Sequence, residues 1–381
     1  MSWLSAEQAL EKLGTKPQTL YANVSRGRIR AKPDTSDPRR SLYHADDVAR
    51  LAERHAGRRK TETVAAETIQ WGDPVLPSAI STIVEGRLYY RGQDAQRWSD
   101  HATLEQTAAL LWDTASVTLD DGNEHEHQGG SSRISEVFIQ LAARAAIDLP
   151  ALGRSPAALH AEAGRVMSTV AVALAPGHYP DTPVHARLAL GWNKPEAADS
   201  IRRALVLAAE HELNVSAFAA RVTASSGASL AAATLSGLST LSGPRHGGAW
   251  QSAVRLAEQA RSLGARESIR MTLSTEGVVR PFGHQLYPHG DMRARAIMAS
   301  FEVPPLYVEL ASTGEELLGE SVNIDFALAA MAAAFGLPAE APLIIFALSR
   351  SAGWLAHAME QVLTGRLIRP RARYTGPPVT P

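Results

Sequence analysis

There is no cysteine among the 381 residues. Disulfides, thiolate metal sites and cysteine nucleophiles are therefore excluded together, while the redox compartment stays open. Aromatic residues are scarce at 6%, and charged residues make up 20% against 45% hydrophobic. That balance is ordinary for a globular chain, and a chain of this length buries a core of real size. Long apolar runs are missing too. The most apolar late stretch, residues 342–359, is interrupted by Arg350 and is too short to span a bilayer. The start, Met-Ser-Trp-Leu-Ser-Ala-Glu, has neither a basic n-region nor an apolar run, so no signal peptide is expected. From Arg133 onward no strand series of any length is visible among the alanine-rich helical faces. The expectation is a cytoplasmic chain, with no membrane contact, whose body is all-α.

The net charge of −1 conceals an asymmetry. Residues 1–60 hold 13 Lys or Arg against 7 Asp or Glu, a balance of +6, which leaves −7 for the remainder. A small basic head on a mildly acidic body suggests two modules with different partners. Within the head, Ser5-Ala-Glu-Gln8 has capping-box spacing, Leu10 and Leu13 share one face, and Gly14 ends that helix. Thr15-Lys-Pro-Gln18 repeats the device, Leu20 and Val24 give the second helix its apolar side, and Gly27 stops it. Arg28-Ile-Arg30 and Arg39-Arg-Ser-Leu-Tyr43 read as two short strands, and Ala45 opens a third helix.

The pieces Leu20-Tyr-x3-Ser-Arg-Gly-x-Ile-Arg30 and Arg39-Arg-x2-Tyr43-x3-Asp47-Val resemble the MerR/excisionase-type winged helix-turn-helix. That resemblance implies DNA contact through Lys16, Asn23, Arg26, Arg28, Arg39 and Arg40, whose side chains suit base edges or phosphates. The alternative is a small protein-contact module whose arginines are a solvated face. Residues 61–80 are polar and unpatterned and read as a linker; the body then runs from 81 to 381.

The body opens on a short hairpin over 83–94, followed by a helix from about Thr103. The acidic stretch 120–132 carries His125 and His127; such runs are commonly exposed loops, and no metal is assigned to it. The chemistry lies further on. Leu241-Ser-Gly-Pro-Arg-His246-Gly-Gly-Ala249 holds one imidazole on a turn of small residues, where glycines let a ligand approach the backbone. By itself it also reads as a tight helix connection. His284 lies in a second glycine turn, and Asp325 stands at the start of an alanine-rich helix, where the dipole favours a charged carboxylate. His211, Arg293, Arg350 and Arg369 complete the set. Arginines clamp carboxylates bidentately, and a carboxylate can take a proton from a carbon acid whose enolate is stabilised by donors.

Seven ordered motifs between about 80 and 376 resemble the citrate synthase family. They are Tyr-Arg-Gly at 90–92, His-Glu-Leu-Asn-x-Ser at 211–216, Gly-Pro-x-His-Gly-Gly-Ala at 243–249, Phe-Gly-His at 282–284, Asn-x-Asp-Phe at 323–326, Arg-x-x-Gly-Trp-x-Ala-His at 350–357 and Arg-Pro-Arg-x-x-Tyr-Thr-Gly at 369–376. The resemblance implies a large helical domain of about 81–246 and 336–381, with a small helical domain of about 247–335. It implies that His246 bonds the thioester oxygen, Asp325 removes the acyl α-proton and His284 protonates the ketone of the oxo acid. His211, Arg293 and Arg350 would hold oxaloacetate, and Arg369 would reach into the partner subunit's site in a homodimer. Acetyl-CoA or propionyl-CoA would be cosubstrate, giving citrate or 2-methylcitrate, with no permanently bound cofactor and no metal. The chain departs from the family where coenzyme A phosphates are usually met by basic residues: it has Gln285 and Pro288, with Arg280 or His289 as replacements. A rival reading is a DNA-binding regulator whose body senses an acyl-CoA or a tricarboxylate.

Overall fold

In a computed structural model of the chain, the described residues are 3–13, 19–20, 23–24, 29–34, 37, 41–49, 76–120, 132–372 and 374–377. The chain packs as two compact units, Met1–Pro77 with Arg369–Pro381, and Ser78–Ile368.

In the first unit, strands β1 (Trp3–Leu4), β2 (Ala31–Pro33) and β3 (Ser41–His44) form an antiparallel sheet in the order β1-β3-β2. Helix α1 (Ala6–Leu13) opens on the expected capping box: the Ser5 amide donates to Gln8 Oε1 at 3.0 Å and the Gln8 amide to Ser5 Oγ at 3.3 Å. Its apolar side meets Leu20, Ile29, Tyr43 and Val48 in a small core. The first strand was expected at 28–30 but begins at Ala31, because Ile29 turns into that core and Arg30 closes on Asp47 through Nε and Nη2 at 2.7 and 3.0 Å. Asn23 departs from its assigned role. It is 5% exposed and donates its side-chain amide to the Thr19 carbonyl, so little of it is open to a partner. Lys16, Arg26, Arg28, Arg39 and Arg40 lie outside the described residues.

The second unit starts with a three-stranded meander, β4 (Ser81–Val84), β5 (Arg87–Tyr90) and β6 (Gln93–Asp94), where a single hairpin was expected. Its two-residue turns, Glu85-Gly86 and Arg91-Gly92, all have positive φ, the requirement of a type I′ hairpin whose twist suits the strands. The body is thus helical with one small sheet. A helix the sequence did not announce, α2 (Ala95–Ser99), is capped by Asp94; α3 (Leu104–Trp112) starts, as expected, at a Thr103–Gln106 capping box. Then come α4 (Arg133–Ile147), α5 (Pro156–Leu174), α6 (Val184–Gly191), α7 (Ala198–Ala208), α8 (Val215–Ser225) and α9 (Leu230–Leu241). They are followed by α10 (Trp250–Leu263), α11 (Ala265–Glu276), α12 (Met292–Met298), α13 (Pro305–Leu318), α14 (Ile324–Phe335) and α15 (Ala341–Thr364).

Helix α15 organises the unit. It is apolar nearly all round and buried from Ala341 to Val362 with little interruption, as a helix at the centre of a bundle must be. The main core gathers around it, while a second cluster joins α10, α11, α13 and one face of α14 through Leu256, Ile269, Phe282, Tyr307, Leu310 and Phe326. Helix α12 contributes Met292 and Ile297 to the main core, and α14 feeds both clusters. The Asp325 helix therefore straddles the two cores. Among the described residues no helix is long and apolar enough to cross a membrane.

Candidate active site

Four connections and one helix interior bring the predicted side chains together. His211 sits in the link between α7 and α8, where Asn214 caps α8 by accepting from the Ser216 and Ala217 amides. His246 lies on the turn between α9 and α10, held by its own amide to the Gly243 carbonyl and by the Gly247 amide to the Leu241 carbonyl. A Cβ at Gly247 would strike that Leu241 oxygen, so this turn requires glycine. His284 follows Gly283, which has a φ of +73°.

The His284 loop is stitched to the start of α14. The Gly283 amide donates to the Ser321 carbonyl, the Asn323 amide to the Pro281 carbonyl, and Asn323 Nδ2 to the Arg280 carbonyl at 2.8 Å. Asn323, not Asp325, is the N-cap, accepting from the Asp325 and Phe326 amides. That frees the Asp325 side chain. Asp291 adds a second stitch: its Oδ2 accepts from the Ile324 amide at 3.1 Å, and its carboxylate takes Nε and Nη2 of Arg293 at 2.9 and 2.7 Å. Arg293 is thus already paired, a use the sequence reading missed. Arg350, one turn after Phe346 on α15, lies over that ring at 4.8 Å and donates Nε to the Ala208 carbonyl.

The rings are close. His211 and His284 have centroids 5.0 Å apart, and His211 Nε2 is 2.9 Å from the Tyr287 hydroxyl. His284 accepts the Leu286 amide on Nδ1 at 3.1 Å, so the neutral ring carries its proton on Nε2 and is a donor there. His246 Nε2 lies 2.8 Å from Ser216 Oγ, which accepts the Trp354 indole N–H and has one proton to give, either to His246 or to Asn214 Oδ1. Giving it to His246 leaves the imidazole proton on Nδ1. Ser216 stood in the 211–216 motif without an assigned role, and Tyr287 was not singled out from the sequence; their nearness in space gives both a place.

Burial sets the charges. It lowers His246 to about 4, helped by Arg350, and lowers His284 to about 4, helped by Arg293 and opposed by Asp291. His211 is held well below its ordinary value by burial and by Arg293 and Arg350. All three imidazoles are neutral at pH 7. Asp325, half-buried at the second position of α14, moves the other way: desolvation pushes its carboxyl up to about 7 against the pull of Arg293 and Arg350. At the helix start the dipole favours the anion, but desolvation outweighs it and leaves the carboxyl partly protonated near neutrality. Asp291 stays below the usual carboxylate range through its Arg293 pair. The arrangement offers a base poised near neutrality, two neutral imidazole donors and two buried cations, which suits proton abstraction next to a carbonyl in the presence of carboxylates.

Arg280 and His289 are exposed on the loop that carries His284, Gln285 and Pro288 are exposed with them, and Arg369 is exposed in the first unit. Among the described residues no group of three or more His, Asp or Glu is placed to hold a metal.

A family model described as "Citrate synthase, C-terminal domain" matches residues 69–371. The chain is 38% identical to a citrate synthase of Haloferax volcanii over 191 residues, 47% of this chain and 50% of that one. It is 29% identical to citrate synthase 2 of Bacillus subtilis over 346 residues, 79% of this chain and 93% of that one. With a 2-methylcitrate synthase of Mycobacterium tuberculosis it shares 29% identity over 357 residues, 80% of this chain and 89% of the other. In fold it is similar to a citrate synthase from Thermoplasma acidophilum, solved as a ternary complex with carboxymethyl coenzyme A and oxaloacetate, at a TM-score of 0.68, 20% identity, 85% of this chain and 98% of that one.

Proposed function

The chain belongs to the citrate synthase family of condensing transferases, and we propose that it joins an acyl-CoA to oxaloacetate, giving citrate from acetyl-CoA or 2-methylcitrate from propionyl-CoA. The observation that carries this reading is that His211, in ring contact with His284 and within electrostatic reach of His246, shares the field of Arg293 and Arg350 with the Asp325 carboxyl. Asp325 takes the α-proton of the thioester, and His246 donates to the thioester oxygen as the enol forms. The new carbon–carbon bond closes on the ketone of the oxo acid, whose oxygen takes a proton from His284 Nε2. Hydrolysis of the resulting thioester frees coenzyme A. His211, Arg350 and the edge of Arg293 not used by Asp291 hold the carboxylates of the oxo acid.

The finer parts follow the same reasoning. Arg280 and His289 meet coenzyme A phosphates in place of Gln285 and Pro288; their exposure on the His284 loop supports this. Two copies form a homodimer in which Arg369 serves the partner's site. The basic head contacts DNA through Lys16, Arg26, Arg28, Arg39 and Arg40, supported by its charge of +6. Asn23 leaves that set because its amide is spent on Thr19. The relatives are synthases by name, which favours an enzyme over a sensor.

The test is free-thiol release from acetyl-CoA and from propionyl-CoA, with and without oxaloacetate. Release that requires oxaloacetate and falls by about 10²–10⁴-fold in Asp325→Ala, with oxaloacetate binding retained, is the expected result. Near wild-type turnover in Asp325→Ala sinks the mechanism.

A further inference from the structure

His211 owes its place to a short link, and the residues on either side of it are tied to strand β4. Glu212 has a φ of +52°, a left-handed conformation that a side chain rarely adopts without something to hold it. Two bonds hold it. Its amide donates to Ser81 Oγ at 3.1 Å, and its carboxylate accepts the Ile83 amide at 2.8 Å. The same Ser81 hydroxyl donates to Glu210 Oε1 at 3.3 Å, so one serine joins both neighbours of His211. Glu210 is fully buried, and its Oε1 also accepts from His357 Nε2 at 3.0 Å. From β5, the Tyr90 hydroxyl donates to the Val206 carbonyl at 2.9 Å and anchors the end of α7. The sheet fixes the link, and the link aims the imidazole at Tyr287.

We propose that Ser81 and Glu212 are positioning residues, a clamp from strand β4 that holds His211 at the oxo-acid end of the pocket. This rests on the functional reading above and deepens it, since neither residue touches the reacting atoms in that reading. The clamp predicts a selective effect. Without the Glu212 carboxylate the link is no longer tied to the Ile83 amide, and His211 loses its aim without loss of the pocket's cations or of the Asp325 base.

Glu212→Gly is the main variant, because glycine tolerates the left-handed backbone, so loss of the side chain and its bond to Ile83 brings no added strain. In the full-length protein the KM for oxaloacetate rises about tenfold, as expected for one lost hydrogen bond to a charged group. The KM for acetyl-CoA stays at the wild-type value. Glu212→Gln keeps an acceptor oxygen and returns the oxaloacetate KM to within about threefold of wild type. Ser81→Ala moves the same constant in the same direction, and combining it with Glu212→Gly adds less than the two separate effects, since both break one clamp. Amide hydrogen exchange on the free protein reads the clamp without turnover: residues 210–214 exchange faster in Glu212→Gly and in Ser81→Ala, while α15 keeps its protection. Unchanged exchange at 210–214, or a wild-type oxaloacetate KM in both variants, overturns the inference. A wild-type chain that does not respond to oxaloacetate sinks the functional reading instead, and the exchange measurement then decides the clamp by itself.

Discussion

Asp325 is pulled in two directions. The first turn of a helix favours its anion by about 0.3–1 kcal/mol, yet burial keeps its proton on up to about 7. The unfolded chain releases that proton near 3.8. Between those values the folded state binds more protons than the unfolded one, so this residue costs stability progressively as pH rises from 4 to 7, and fully above 7. Asp325→Asn removes that cost. Its Tm should exceed that of the wild type by about 2 °C or more at pH 8, with a smaller gain at pH 5, while condensation is lost. Scanning calorimetry at the two pH values checks this; an equal or lower Tm at pH 8 contradicts it. In the wild type, kcat should fall about tenfold per pH unit below about 7 as one base protonates. His246 and His284, lowered to about 4, should add no second step above pH 5.

At the scale of the elements, the site depends on how closely α15 approaches the end of α7. Gly353 makes that approach: a Cβ there would lie 2.5 Å from the Ala209 carbonyl oxygen and against Glu210 Oε2. A backbone oxygen cannot swing aside, so Gly353→Ala should cost about 1–3 kcal/mol in chemical unfolding and disturb the link that holds His211. An unchanged midpoint would show that α15 shifts freely. Capping was legible in the sequence at Ser5, where a Ser precedes Gln by three residues, because such caps are local; Thr103, expected only as an approximate helix start, proves to be a cap of the same kind. At α14 both Asn323 and Asp325 are good caps in principle, and only the fold decides that Asn323 is the one spent. The early strand of the head was misplaced by three residues for a similar reason. Arg30 has strand-like neighbours, but its pairing with Asp47 is a long-range event.

For the whole molecule, the proposed homodimer makes Arg369 a residue acting in trans. Heterodimers of an Arg369→Ala chain with an Asp325→Ala chain should regain part of the activity, at the one site that keeps both groups. No recovery in verified heterodimers would assign Arg369 to its own subunit or to no site. The head carries the other whole-molecule prediction. If its arginines meet phosphates, DNA affinity should fall steeply with salt, and Arg39→Ala with Arg40→Ala should weaken all sequences alike. Binding no better than a same-charge control at low salt would leave the head as a protein-contact module.

The order of the motifs along the chain determined the family and the chemical types at the site, because glycine turns, histidines and arginines are visible wherever they occur. The helical character of the body and a few helix starts, such as those at Ser5 and Thr103, followed from local spacing. What only the tertiary structure decided are relations between distant residues. Arg293 is committed to Asp291, His211 to Tyr287, and Glu212 to a strand 129 residues away. The protonation of Asp325 belongs with these: its local position argues for an anion, and only the packing of two cores around α14 removes the water that would keep it charged.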